Sequence, residues 1–137
     1  RAGLKRPAVG ERIVALTNRL SGYDRLVEIG IGRRPGLAAA LAERGCAVVA
    51  TDVYERSVPE GVRFVRDDVT DPDPAVYADA DVIYALNLPP ELHRPALDVA
   101  REAGADLAFT TLGGDPPLVH VERDSLPDDT LFWSRRG

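Results

Sequence analysis

Two glycines and two acidic residues have the spacing of a site that holds a nucleoside. Gly30 and Gly32 follow a short apolar segment that contains Glu28, and Asp52 ends the next apolar segment, 20 residues beyond Gly32. Glycines let the backbone turn sharply and let a ligand approach, because no Cβ stands in the way. A carboxylate at position 52 can accept hydrogen bonds from ribose hydroxyls. The spacing predicts a nucleoside-containing cofactor at this turn; the alternative is a tight turn without a ligand.

Dinucleotide cofactors use a similar turn, so an NAD-type oxidoreductase or NAD-binding module is one rival interpretation. The pair Gly30-x-Gly32 and the acid at Asp52 favour it. Dinucleotide sites have a third glycine three residues after the second, where the helix packs against the strand, and this chain has Pro35 there. Glu28 also has no function in a dinucleotide site. These two positions favour a different nucleoside cofactor.

The pattern Glu28-x-Gly30-x-Gly32 followed by Asp52 resembles the cofactor motifs of class I S-adenosylmethionine-dependent methyltransferases. The resemblance covers about residues 25 to 111 and implies S-adenosylmethionine or S-adenosylhomocysteine as the cofactor. It implies that Glu28 faces the methionine ammonium and that Asp52 holds the ribose. The two glycines would pass beneath the methionine portion.

Three further positions follow from this resemblance. Asp68 lies where the family commonly places an acid near the adenine amino group, with an exposed polar turn as the alternative. Asn87 opens a segment with two prolines, where amino-directed enzymes orient the attacked nitrogen, and it is a candidate cofactor residue. The segment interposes Leu88 and lacks the usual aromatic residue, which counts against methylation of an amine. Many class I methyltransferases have a third glycine where this chain has Arg34. The resemblance does not assign a catalytic residue.

Arg33 is also a candidate cofactor residue. Arg33 and Arg34 precede a predicted helix N-terminus, where the helix dipole disfavours cations. One interpretation is that both side chains extend into water. The other is that at least one of them meets an anion, such as the cofactor carboxylate or an acidic substrate.

The histidines and the cysteine predict no metal site, because no second His, Cys or acidic cluster has ligand spacing around them. His93, near the start of a helix, could serve as a general base, but a solvated helix-end histidine is the expected state. His120 is expected to face outward from a late strand. Cys46 lies in an apolar run and is expected to be a small buried hydrophobe.

Helices and strands are predicted to alternate along the chain. Helices are expected near residues 8 to 20, 35 to 44 and 92 to 103. Seven segments have the composition of strands, the last two joined by a turn at residues 127 to 129: 25 to 29, 47 to 51, 62 to 65, 81 to 86, 106 to 111, 118 to 122 and 131 to 134.

This alternation predicts an α/β fold, a doubly wound, mainly parallel Rossmann-like sheet of five to seven strands between two helical layers. The resemblance makes it the class I methyltransferase type. We expect a single domain over residues 1 to 137. It would consist of an N-terminal helical segment (1 to 22), a cofactor-binding core (23 to 111) and C-terminal strands (112 to 137).

Composition excludes several other classes of protein. The chain has 137 residues, 45% hydrophobic and 28% charged, which is typical of a globular domain. Its net charge is −5 and its basic residues are scattered, so no nucleic-acid footprint is expected. No apolar stretch approaches the length of about 18 residues that spans a bilayer, and no signal peptide is recognisable. We expect a cytoplasmic protein without membrane contact.

The chain as a whole resembles a small uncharacterised family of archaeal proteins with a Rossmann-like fold and a proline-rich segment after the fourth strand. That family implies the fold without implying a reaction. A third interpretation is therefore a non-enzymatic Rossmann-like subunit or cofactor sensor. Such a protein would work with a protein partner or as a homodimer.

Overall fold

The computed structural model describes residues 8–136, in which helices and strands alternate as expected. The helices are α1 (Ala8–Leu20), α2 (Gly36–Glu43), α3 (Pro74–Tyr77) and α4 (His93–Ala103), the last preceded by a short 3₁₀ turn (Pro90–Leu92). The strands are β1 (Arg25–Ile29), β2 (Ala47–Asp52), β3 (Val62–Arg66), β4 (Val82–Ala85), β5 (Asp106–Phe109), β6 (Glu122–Leu126) and β7 (Asp129–Ser134).

The strands form one seven-stranded sheet with the order β3-β2-β1-β4-β5-β7-β6. The first five strands are parallel, and β7 lies antiparallel between β5 and β6. At the centre, Val27 of β1 lies opposite Val49 of β2 and Ile83 of β4. The predicted α/β fold with a mainly parallel sheet is confirmed.

Apolar side chains cover both faces of the sheet. Leu16 of α1 and Leu41 of α2 belong to a buried cluster on one face, together with Val48. On the other face, Tyr77 of α3 and Leu97 of α4 belong to a second cluster. Because helices cover both faces, the central strands are mostly apolar and do not alternate regularly with polar residues. Glu28 in β1 and Asp52 at the end of β2 are among their buried polar residues, and both lie at the candidate site.

The C-terminal strands correct one prediction. Residues 118 to 122 were expected to form a strand, but most of this segment is a loop, and β6 begins only at Glu122. The Leu118 side chain is exposed and its backbone N–H donates to a histidine ring, so it has no strand partner. β6 is polar along most of its length because it is an edge strand, and its pairing with β7 across the turn after Leu126 determines its position.

Three smaller points complete the fold. α3 is a single helical turn that was not among the predicted helices; the Asp73 side chain accepts a hydrogen bond from the Ala75 backbone, and Pro74 begins the helix. Cys46 is buried, as expected. Within residues 8–136, no helix combines the length and apolar character needed to cross a membrane.

Candidate functional site

The turn after β1 has the left-handed backbone that its glycines allow. Gly30 has φ +71° and Gly32 has φ +56°. The N–H groups of Gly30 and Ile31 both donate to the carbonyl oxygen of Thr51, at 3.0 Å, which fixes the turn against β2. A Cβ placed on Gly30 would meet no atom within 4 Å. The backbone of Gly30 is therefore open to solvent on the side where a side chain would lie.

Asp52 at the end of β2 is bound to this turn. Its Oδ2 accepts a hydrogen bond from the Gly32 N–H at 2.8 Å, and its Oδ1 accepts one from the Tyr54 N–H at 3.0 Å. The Arg56 guanidinium lies 3.4 Å from Oδ1. Burial raises the pKa of Asp52, but the two backbone N–H groups and Arg56 outweigh it and hold the pKa below its ordinary value. Asp52 is therefore an ionised carboxylate, with lone pairs left over for a ligand.

Glu28, near the end of β1, is buried, with only 1% of its surface exposed. Its Oε1 accepts a hydrogen bond from the Tyr84 hydroxyl at 2.8 Å, and the two residues are opposite each other in the pairing of β1 with β4. Burial is the largest influence and raises the pKa of Glu28 to about 8; the bond from Tyr84 opposes it and the Asp52 charge adds to it. Tyr84 was not singled out from the sequence, because nothing local marks it.

After β3, two neighbouring aspartates have different surroundings. Asp67 accepts hydrogen bonds from the Tyr77 hydroxyl at 2.6 Å and from the Asp73 N–H at 3.0 Å. It therefore holds α3. Asp68 is exposed and accepts from the Thr70 hydroxyl at 2.6 Å and the Thr70 N–H at 2.9 Å, which lower the pKa of its carboxyl. Its carboxylate can still accept from a ligand.

Asn87 after β4 adopts a left-handed backbone, with φ +52°, which is uncommon for a residue with a side chain. Its N–H donates to the Thr110 hydroxyl at 2.8 Å. Its side-chain oxygen lies 3.5 Å from the Arg12 guanidinium, which also binds Asp129. The sequence did not mark Arg12 or Thr110, since they come from α1 and from the end of β5. The Asn87 side-chain oxygen, which would orient an amine in amino-directed enzymes, faces a cation.

The expected solvated state of His93 is wrong. The residue is 1% exposed, and both ring nitrogens are engaged: Nδ1 accepts from the Leu118 N–H and Nε2 lies against the Leu88 carbonyl, each at 3.0 Å. The ring also packs on Phe109. His93 clamps the proline-rich segment to the loop before β6, so it has no free nitrogen for proton transfer. His120 is exposed as expected, but it lies in that loop.

The surface beside Asp52 contains further groups. Val53 and Tyr54 are 46% and 64% exposed, which is unusual for large apolar residues directly after a buried strand. Their position after the acid was the available signal, and sequence reasoning passed over it. Arg33 is exposed and lines a cavity of about 390 Å³, together with Arg56 and Ser57.

The candidate residues thus lie at the carboxyl ends of four neighbouring parallel strands. Asp68, Asp52, Gly30 and Asn87 follow β3, β2, β1 and β4, in the order in which these strands lie in the sheet. This edge is where open α/β sheets bind their ligands. Within the described residues, no group of three or more His, Cys, Asp or Glu side chains could hold a metal ion.

The fold is similar to those of a solved methyltransferase and of a solved domain that has S-adenosyl-L-homocysteine bound. An RNA methyltransferase from Salinibacter ruber in complex with S-adenosyl-L-homocysteine matches with a TM-score of 0.61 at 18% identity, over 96% of this chain and 92% of that one. The N-terminal domain of EvdMO1 with S-adenosyl-L-homocysteine bound matches with a TM-score of 0.58 at 17% identity, over 96% of this chain and 68% of that one. The sheet is therefore of the class I methyltransferase type.

Sequence relatives are archaeal. A UPF0146 protein of Halobacterium salinarum is 58% identical over 117 residues, which are 85% of this chain and 91% of the relative. A UPF0146 protein of Archaeoglobus fulgidus is 50% identical over 91 residues, which are 66% of this chain and 70% of the relative. The model of the uncharacterised protein family UPF0146 matches residues 11–136, and the chain belongs to this family.

Proposed function

We propose that this protein binds S-adenosylmethionine at the turn after β1 and transfers its methyl group to an acceptor, and that the product S-adenosylhomocysteine binds at the same turn. The observation that carries the proposal is the ionised Asp52 carboxylate, which is bound to Gly32 in the same turn as the exposed Gly30. A carboxylate in that position is suited to the two hydroxyls of a ribose.

The neighbouring residues fit the other parts of such a cofactor. Glu28 would take the methionine ammonium from beneath the turn, and Arg33 the methionine carboxylate. Asp68 would accept from the adenine amino group, and the exposed Val53 offers an apolar surface for the ring. Asn87 would lie at the reactive end, after the strand that neighbours β1.

When bound, the cofactor supplies a sulfonium methyl group for in-line displacement. Alignment of the acceptor with that methyl group can provide most of the rate, so a general base is not required. The engagement of both His93 nitrogens agrees with such a site. Arg12, which is paired with Asp129, lies at the Asn87 side-chain oxygen that would otherwise orient an amine, and this arrangement counts against an amine acceptor.

The sheet counts against the dinucleotide alternative. The usual dinucleotide-binding fold has the strand order 3-2-1-4-5-6. Here an antiparallel β7 lies between β5 and β6. Pro35, directly before α2, stands where that fold has its third glycine. Both features support a sulfonium nucleoside over NAD.

Thermal unfolding with each ligand separately tests the proposal. A ligand at 100 times its dissociation constant stabilises the folded state by ~2.7 kcal/mol, which raises the melting temperature by several degrees in a domain of this size. We expect S-adenosylhomocysteine to raise it and NAD to leave it unchanged. A rise with NAD alone, at millimolar concentrations of both ligands, would overturn the proposal in favour of the oxidoreductase alternative.

A further inference from the structure

Glu28 and Tyr84 form a pair of polar side chains between the helices and the sheet. Each is about 1% exposed, and the Tyr84 hydroxyl donates to Glu28 Oε1 at 2.8 Å. The helices over this face contribute apolar groups, including Leu16 and Leu37. Buried carboxylates normally have a cation or several donors to replace water. Within residues 8–136, Glu28 has one neutral side-chain donor.

The charges around the pair do not replace the missing cation. Tyr84 on β4 and the negative Asp52 at the end of β2 act on Glu28, and Cys46 before β2 acts on Tyr84. On α1, the Arg12 guanidinium is bound to Asp129. With the pKa of Glu28 raised to about 8 by burial, its carboxyl group carries a proton at neutral pH in the free protein.

We infer that a ligand with a primary ammonium group displaces this proton when it binds, and that Tyr84 is the residue that positions Glu28 for the exchange. The inference rests on the proposed function. The O–H bond of the Glu28 carboxyl breaks and its proton leaves to the buffer. The resulting carboxylate accepts an N–H of the ammonium, while the Tyr84 hydroxyl keeps donating to Oε1. The ligand thus brings the cation that the buried carboxylate lacks.

Calorimetric titration with S-adenosylhomocysteine measures this exchange, using two buffers with different ionisation enthalpies at each pH. We expect release of about one proton per ligand at pH 7. The affinity for S-adenosylhomocysteine should be about tenfold higher at pH 7 than at pH 6. 5′-Methylthioadenosine, which has the same nucleoside but no ammonium, is the matched control. It should bind without releasing a proton.

Two variants separate positioning from folding. Glu28→Gln should bind S-adenosylhomocysteine more weakly, without proton release. Tyr84→Phe removes a bond that lowers the pKa of Glu28, so ionising Glu28 becomes harder. The affinity of Tyr84→Phe for S-adenosylhomocysteine, divided by that of the wild-type protein, should be lowest at pH 6 to 7 and recover towards pH 9. The titration of the ligand's own amino group affects both proteins equally and cancels in this ratio. A purely structural function of Tyr84 would reduce affinity by the same factor at every pH.

The results distinguish this inference from the proposed function. If S-adenosylhomocysteine binds the wild-type protein with no proton release and with the same affinity at pH 6 and pH 7, the proton exchange is wrong and cofactor binding stands. If neither S-adenosylhomocysteine nor 5′-methylthioadenosine binds, the proposed function is wrong, and the exchange fails with it. Proton release with the first ligand and none with the second supports both.

Discussion

The Gly32 N–H donates to Asp52 Oδ2 over 2.8 Å, so the acid at the end of β2 holds the glycine turn that follows β1. A second bond joins the other carboxylate oxygen to the Tyr54 N–H. The residue that would contact the ribose therefore also fixes the backbone over which the proposed cofactor would lie. Any change at position 52 should affect both ligand affinity and the shape of the turn.

Asp52→Asn tests the ribose contact with the least disturbance of the turn, because the amide oxygen can still accept one backbone N–H. Loss of a charged acceptor costs about 1.5 to 3 kcal/mol, or roughly ten- to 150-fold in affinity for S-adenosylhomocysteine. Calorimetric titration measures the loss. Asp98→Asn, an exposed residue on α4, is the control and should bind like wild type. Equal affinity of the two variants would remove Asp52 from the site.

Stability without ligand should depend on pH through Glu28. Its pKa is 4.5 ordinarily and about 8 in the folded protein, so between these values the folded state binds more protons than the unfolded chain. Stability should therefore fall as the pH rises from about 4.5 to about 8 and level off above that. The lowered pKa of Asp52 acts in the opposite direction, at pH values below this range.

Glu28→Gln isolates this dependence. Each pKa unit is worth ~1.4 kcal/mol, so the variant should gain stability relative to wild type by a few kcal/mol between pH 5 and pH 8. Melting temperatures across this range measure the difference. Parallel profiles for the two proteins would mean that Glu28 is ionised in the folded state.

His93→Ala should destabilise the protein without a specific effect on proton transfer. The substitution leaves the buried Leu88 carbonyl without its partner, at a cost of about 1 to 3 kcal/mol, and releases the Leu118 N–H to solvent. The melting temperature should drop by several degrees, and the Leu118 amide should exchange with solvent faster. His120→Ala, at an exposed loop position, should change neither. A normal melting temperature for His93→Ala would show that the bonds of His93 to Leu88 and Leu118 do not stabilise the fold.

Arg33→Ala should weaken S-adenosylhomocysteine binding and reduce its dependence on salt, because Arg33 lines the cavity beside Gly32. The neighbouring Arg34 is also exposed and serves as the control with the same charge change. Calorimetric titrations at two salt concentrations compare the variants. If both arginine variants bind like wild type, the Arg33 side chain only extends into water.

The sequence was sufficient to predict the positions of those candidate residues that local pattern determines. The glycine turn, Asp52 and the alternation of strands were predicted, because turn residues and apolar runs act over short distances. Tyr84 and Arg12 were missed, since they reach Glu28 and Asn87 from 56 and 75 residues away. Only the pairing of β1 with β4 and the packing of α1 bring them there.

The wrong predictions have the same physical origin. His93 has the local features of a helix end, where a histidine is usually solvated, but the loop before β6 covers it. The same loop contains most of residues 118 to 122, which were expected to form a strand. Its apolar alternation has no neighbouring strand to pair with, while the polar β6 does. In both cases tertiary contacts outweighed local pattern.

A crystal structure of the protein grown with S-adenosylhomocysteine is the most direct test of the proposed site. The ribose hydroxyls should lie within hydrogen-bonding distance of the Asp52 carboxylate, above Gly30, with the ammonium at Glu28. A nucleoside bound away from Asp52, or an empty turn at saturating ligand in crystals whose lattice leaves it open, would contradict a cofactor site at the end of β1.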